Sequence, residues 1–191
     1  MVLVIVLFKF PEWYIIDIGG IIVGAGAIAI FGISLGILLV IILLIGLAIY
    51  DAISVYKTKH MIDLADTVMD LKLPVLLVIP KKRNYSLIKE TKSLKEKLNE
   101  GEEREAFFMG LGDVVMPGIL VVASYYFIDG GLPVALSVMF GTIVGFFVLM
   151  FFVMKGKPQA GLPLLNSGAI LGFLISSLVL FGELRGLAFP F

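Results

Sequence analysis

Two aspartates, Asp51 and Asp113, lie in the otherwise apolar runs LAIYDAIS and FMGLGDVVMPG. A carboxylate at the centre of a bilayer costs about 3 kcal/mol or more, and such residues usually face a water-filled interior and mark function. Two carboxyls a few ångströms apart cannot both be ionised cheaply, so they share a proton. The carboxylate can then take a proton from a water while the acid protonates a carbonyl oxygen. Such a pair could hydrolyse a peptide bond without a metal or a covalent intermediate.

The composition supports few other chemistries. The chain has 191 residues, of which 60% are hydrophobic and 16% charged, and its mean hydropathy is +1.08. These values place it in a lipid bilayer. There is no cysteine and only one histidine, His60, so a Cys-based metal site, an HExxH zinc site and a Ser/His/Asp triad are poorly supported. We therefore expect no cofactor, no metal and no nucleic-acid partner.

Five apolar runs are long enough to cross about 30 Å of hydrocarbon, which requires roughly 20 residues. They cover residues 14–33, 35–56, 106–127, 132–154 and 160–182. Residues 1–8 are apolar but too short to span, and they are typical of the end of a helix. The sequence therefore predicts an all-α polytopic membrane protein with about six transmembrane helices, one of them partial. Residues 1–191 are predicted to form a single membrane domain.

The polar segment between the second and third runs, residues 57–105, holds 11 of the 15 lysines and arginines. The positive-inside rule predicts that this loop is cytoplasmic, and alternation of the spans then places the C-terminus outside. Residues 59–72 carry apolar side chains at helical spacing, which predicts a short amphipathic helix on the inner interface. LPVLLVIP, residues 73–80, is typical of a strand. It could pair with a substrate or serve only as a hydrophobic plug.

This topology places the two aspartates at one depth. Asp51 lies about five residues before the cytoplasmic end of its span and Asp113 about seven after the start of the next, roughly 8 and 10 Å below the interface. Antiparallel neighbouring helices would bring them together. Gly110 and Gly112 remove side chains beside Asp113, so a substrate backbone or a facing helix can approach closely. Pro117 has no N–H to pair with the Asp113 carbonyl, which leaves a backbone acceptor near the carboxyl.

The last span begins with GLPLLNSG, which places Pro163 and Leu165 near the depth of the aspartates. A proline near a helix start keeps the preceding backbone extended and short of hydrogen-bond partners. Such a segment could offer an edge to an extended substrate. Elsewhere, glycines spaced four apart predict close helix packing. Four such pairs are Gly20/Gly24, Gly32/Gly36, Gly141/Gly145 and Gly168/Gly172.

Three of these segments resemble the YD, GxGD and PAL motifs of the presenilin and signal peptide peptidase family of intramembrane aspartyl proteases. They are Tyr50-Asp51, Gly110-Leu111-Gly112-Asp113 and Pro163-Leu164-Leu165, in the family's order. The resemblance is strongest to archaeal presenilin homologues, through PEWYIIDI, YDAISVYKTKHM and KPQAGLPLLN. Leu164 stands where the family motif has alanine.

The resemblance implies a nine-helix fold whose sixth and seventh helices carry the catalytic aspartates, here Asp51 and Asp113. The spans of this chain would correspond to helices four to nine, with residues 1–8 ending helix three and the first helices missing. It also implies an aspartic-type endopeptidase that cuts single-span membrane helices. Residues that would support the site or bind substrate are Tyr50, Gly110, Leu111, Gly112, Pro163, Leu164 and Leu165. The sequence leaves open whether the chain forms a homo-oligomer.

Other interpretations of the aspartate pair remain open. Prepilin and preflagellin peptidases also use a GxGD aspartate, but they cut a leader just outside the membrane and do not account for Pro163. A non-enzymatic ion or proton pathway would use the carboxylates to bind cations. The two aspartates could also be structural, paired with polar groups that line the helices.

Overall fold

The computed structural model describes residues 12–55, 76–80, 106–154 and 160–187. In chain order, these contain α1 (Trp13–Ser34), α2 (Ile37–Ile53), β1 (Leu76–Pro80), β2 (Ala106–Gly110), α3 (Leu111–Phe127), α4 (Leu132–Met154) and α5 (Gly161–Phe181). The amphipathic helix predicted for residues 59–72, most of the 57–105 loop and the partial helix of residues 1–8 lie outside the described residues.

The five described helices confirm the predicted all-α polytopic membrane fold. α1, α4 and α5 have 22, 23 and 21 residues and are long and apolar enough to cross a membrane. α2 and α3 have 17 residues each, the lower end of the range that spans a bilayer. Four helices lie within a few residues of the predicted runs, because long apolar stretches are the strongest signal that a membrane protein's sequence carries.

The third predicted run, residues 106–127, begins with a strand instead of a helix. Residues 106–110 form β2, which pairs antiparallel with β1 along its whole length. α3 begins at Leu111, so Asp113 lies in its first turn and not about seven residues inside a span. Periodicity alone does not distinguish a strand from the end of a helix in a short apolar run. Here the pairing of residues 106–110 with β1 shows that they form a strand.

The described residues fall into two compact units, of which the first contains residues 12–25, 76–80 and 106–112. The strand predicted from LPVLLVIP is present as β1. Asp17, in apolar α1, accepts a hydrogen bond at Oδ1 from the backbone N–H of buried Val78, at 2.8 Å. This carboxyl thereby satisfies a strand donor that would otherwise be costly to bury. The assignment of the whole chain to a single membrane domain stays a prediction.

The second unit contains residues 26–55, 113–154 and 160–187. α5 packs against both α4 and α2. The predicted close packing is confirmed for the glycine pairs of α4 and α5, because a Cβ at Gly145 would lie only 2.5 Å from the Leu164 carbonyl oxygen, and a Cβ at Gly141 would overlap the Gly168 carbonyl. It is not confirmed at Gly36, where a Cβ would meet nothing within 4 Å. Large, fully buried side chains of this unit are Phe173, Ile37, Leu44, Leu120 and Leu165. The backbone of α5 therefore lies in close contact with the backbone of α4.

Candidate active site

Asp51 lies near the C-terminal end of α2 and is 6% exposed. Its Oδ2 accepts a hydrogen bond from the backbone N–H of Leu162 at 3.1 Å. The first N–H groups of a helix have no partner within the helix. The N-cap residue of α5, Ala160, makes no side-chain capping bond. Asp51 therefore caps α5 from a different helix, at the end where the helix dipole favours a negative charge.

Asp113 is the third residue of α3 and approaches the same end of α5. A Cβ built at Gly161 would lie 2.8 Å from Oδ2 of Asp113 and 3.2 Å from its Cγ. Only a glycine lets the carboxyl come this close to the α5 backbone without displacement. The first two residues of α5 thus lie against the two carboxyls: Leu162 donates its N–H to Asp51, and Gly161 leaves room for Asp113.

The structure brings together the two aspartates singled out by the sequence. Both contact the N-terminus of α5, one at Leu162 and the other at Gly161. Two carboxyls that come within hydrogen-bond distance of each other can share one proton and act as base and acid. Among the described residues, no group of three or more His, Cys, Asp or Glu side chains could hold a metal ion.

The Pro163-Leu164-Leu165 segment lies in the first turns of α5, not in an extended segment before it. The extended residue is Ala160 (φ −72°, ψ 123°), and α5 begins at Gly161. A proline is tolerated there because the N–H groups of a first helical turn have no intrahelical acceptor. The expectation of an extended, unpaired backbone directly before Pro163 is therefore wrong, because Leu162 is already helical and its N–H bonds to Asp51. Leu165 is fully buried, and Leu164 contacts Gly145 of α4 through its carbonyl oxygen.

The remaining residues of the predicted site lie along the chain beside the aspartates. Tyr50 is 71% exposed, whereas its neighbour Asp51 is buried, so the tyrosine ring points away from the buried carboxyl. Gly110 ends β2 and Leu111 begins α3. A Cβ at Gly112 would meet no atom within 4 Å. The space beside Gly112 is therefore open within the described part of the chain.

Gly161 and Leu162 have a larger part in the geometry than the sequence predicted. Leu162 bonds to Asp51 through its backbone N–H, and Asp113 lies close to the backbone of Gly161. A contact made by the backbone seldom constrains the type of side chain, so the sequence rarely reveals it. The glycine directly before the Leu-Pro pair is the one sequence signal that could have identified this close approach.

The sequence profile of the family described as signal-peptide peptidase, presenilin aspartyl protease matches residues 1–182. A solved structure described as that of a presenilin family intramembrane aspartate protease, in space group C222, is similar at 43% sequence identity with a TM-score of 0.60. The similarity covers 92% of this chain and 58% of the other, so this chain spans little more than half the length of that protein. No curated protein matches the sequence.

Proposed function

Because the chain belongs to the family of signal-peptide peptidases and presenilin aspartyl proteases, we propose that it is an intramembrane aspartyl endopeptidase with Asp51 and Asp113 as its catalytic pair. Family membership favours this function over a leader peptidase of the prepilin class and over an ion or proton pathway. The substrates would be single-span membrane proteins, taken from the surrounding bilayer.

The observation that most supports the proposal is the meeting of the two carboxyls at the N-terminus of α5. Asp51 is held by the Leu162 N–H at 3.1 Å. Asp113 lies against Gly161. An aspartyl protease needs two carboxyls that share one proton and reach one water and one carbonyl group. A structural cap of α5 would need only one carboxylate, whereas a second carboxyl at the same place adds like-charge repulsion that a shared proton would relieve.

In the proposed reaction the ionised carboxyl takes a proton from a water molecule, whose oxygen attacks the carbon of the scissile carbonyl. The other carboxyl gives its proton to the carbonyl oxygen, which forms a tetrahedral diol. Collapse of the diol breaks the C–N bond: the carboxyl that took the proton of water gives it to the leaving amine, and a hydroxyl of the diol returns a proton to the other carboxyl. The Leu162 N–H donor keeps the Asp51 carboxyl in one orientation throughout, which lowers the cost of positioning it in the transition state.

Cleavage requires that the substrate helix unwinds locally, because every carbonyl of a transmembrane helix is engaged within the helix. We propose that this occurs near the cytoplasmic side, where the positive-inside rule places the 57–105 loop. The C-terminus would then lie outside. A scissile bond close to the interface lets water replace the backbone hydrogen bonds that unwinding breaks.

The proposal is tested with the purified chain in lipid vesicles and a single-span substrate carrying a tag at each end. We expect two fragments, a cut inside the hydrophobic segment by mass spectrometry, and inhibition by a hydroxyl-containing transition-state mimic. A cut outside the membrane segment would instead indicate a leader peptidase. Cation or proton flux that persists with the inhibitor, in the absence of any cleavage, would indicate an ion pathway.

The substitution Gly112→Ala tests whether the open space beside Gly112 admits the substrate. Because a Cβ at Gly112 meets no atom within 4 Å, the melting temperature should not fall, and alanine favours a helix over glycine by about 1 kcal/mol. The methyl group would obstruct a substrate backbone next to Asp113, so we expect kcat/KM to fall at least about tenfold. Gly46→Ala is the matched control, because its Cβ in α2 also meets nothing within 4 Å. Equal cleavage by the two variants would show that the substrate does not use this space.

A further inference from the structure

Asn166 makes a polar contact between two helices in a fully buried position. Its Nδ2 donates to the backbone carbonyl oxygen of Leu44 in α2, at 2.9 Å. Both Asn166 and Leu44 have no exposed surface. Asn166 follows directly after the Pro163-Leu164-Leu165 segment but is outside the motif that the sequence comparison singled out.

This contact lies on the same helix interface as the Asp51 cap. Asn166 is four residues after Leu162 and so lies on the same face of α5, one turn further along. Leu44 is seven residues before Asp51, two turns earlier on the same face of α2. The order is reversed on the two helices, so they run antiparallel. The two bonds are about one turn apart on α5 and about two turns apart on α2. Together they fix the position of α5 along α2, and a slip of α5 along its axis would break both.

The side chain of Asn166 is poorly explained by stability alone. Its Oδ1 is buried and has no hydrogen-bond partner among the residues that the structure describes. A buried amide with one end unpaired is less stable than an apolar side chain of similar size. Buried polar groups can instead specify one register between helices at a cost in stability. The amide of Asn166 is therefore better explained by its effect on the register of α5 on α2 than by a gain in stability.

We propose that Asn166 is a positioning residue, which fixes the axial register of α5 on α2 and thereby delivers the Leu162 N–H to the carboxyl of Asp51. The inference rests on the proposed function only in its consequence for cleavage. Its structural part concerns the packing of two helices and is measurable without a substrate. Asn166 itself does not contact the carboxyl and acts through the helix that it holds.

The first test compares the cleavage kinetics and melting temperatures of Asn166→Leu and the unmodified chain. We expect kcat to fall about tenfold or more, because small misplacements of a catalytic group are costly. KM should change less than about twofold, since Asn166 is fully buried and does not touch the substrate itself, and the melting temperature should be equal or higher. The matched control is Ser176→Ala, a buried polar residue of α5 whose Oγ bonds to carbonyls of its own helix, and we expect it to retain kcat. Unchanged kcat in Asn166→Leu would overturn the proposal, as would parallel losses of kcat and melting temperature in both variants.

The second test measures the helix register directly and does not need cleavage. The chain contains no cysteine, so Ile42→Cys on α2 and Leu171→Cys on α5, both at exposed positions, can carry a pair of spin labels. We expect a single narrow distance distribution in the otherwise unmodified chain and a shifted or broadened one in Asn166→Leu. Asn166→Ala, which removes the donor and adds no polar or charged atom, serves as the second variant if Asn166→Leu does not fold.

The two tests separate the failure of this inference from the failure of the proposed function. If the unmodified chain cleaves no substrate, the proposed function fails, and the distance distribution alone decides the inference. A shifted or broadened distribution in the Asn166 variants, with Ser176→Ala unchanged, then supports it. A distribution that is the same in all variants overturns it.

Discussion

Replacing Asp113 or Asp51 by asparagine is expected to abolish cleavage of a single-span substrate in vesicles. The asparagine amide has the shape of the carboxyl but neither gives nor takes up a proton, so no group at that position can transfer the proton that the reaction requires. General acid–base catalysis contributes about 100-fold to 10,000-fold for one group, and we expect each single variant to lose at least that. The measurement is the initial rate of fragment formation at equal amounts of folded protein.

The same variants separate catalysis from a structural role for the Asp51 cap. The substitution Asp51→Asn keeps a side-chain oxygen that can accept the Leu162 N–H, so the melting temperature should change little while cleavage is lost. Asp129→Asn, at an exposed position between α3 and α4, is the control and should cleave normally. Cleavage that survives in either Asp51→Asn or Asp113→Asn would show that the two carboxyls are not a catalytic pair.

The substitution Gly161→Ala is expected to have the next largest effect, although it alters neither carboxyl. The new methyl group would lie 2.8 Å from Oδ2 of Asp113, so the flexible end of that side chain must move. A displacement of about 1 Å in a catalytic group can lower the rate about 100-fold, and we expect a loss of that order in kcat. The global fold should persist, because the group that moves is the end of one side chain and alanine is favoured in a helix.

Gly36→Ala is the matched control for Gly161→Ala. Gly36 also lies at a helix start, at the N-cap of α2 with an extended backbone (φ −64°, ψ 152°), but a Cβ there meets nothing within 4 Å. We expect normal kcat in Gly36→Ala, with a melting temperature lowered by a few degrees because alanine is a poorer N-cap residue than glycine. Gly161→Ala should keep a normal melting temperature. Normal kcat in Gly161→Ala would mean that the close approach of Asp113 to α5 is not needed for cleavage.

The membrane-spanning helices could be predicted from the sequence because the bilayer imposes one strong requirement on it, a run of about 20 apolar residues. The aspartates stood out for the same reason, since a carboxyl is rare in such a run. The start of α3 could not be predicted in the same way. Residues 106–110 are apolar whether they continue the helix or form a strand, and only their pairing with β1 distinguishes the two.

The contacts of the site depend on how the helices are rotated about their axes, and the sequence says little about this in a membrane. Nearly every face of α4 and α5 is apolar, so no hydrophobic stripe marks the side that is buried. The roles of Gly161, Leu162 and Asn166 follow from that rotation. The glycine pairs of α4 and α5 were the exception, because small residues four apart mark a packing face in a lipid environment.

The most direct test of the catalytic pair is an experimental structure of the protein with a hydroxyl-containing transition-state mimic bound. We expect the hydroxyl group within hydrogen-bond distance, about 2.6–3.2 Å, of both the Asp51 and the Asp113 carboxyl, beside the first turn of α5. A mimic bound elsewhere, or aspartates too far apart for one hydroxyl to contact both, would contradict the assignment of Asp51 and Asp113 as the catalytic residues.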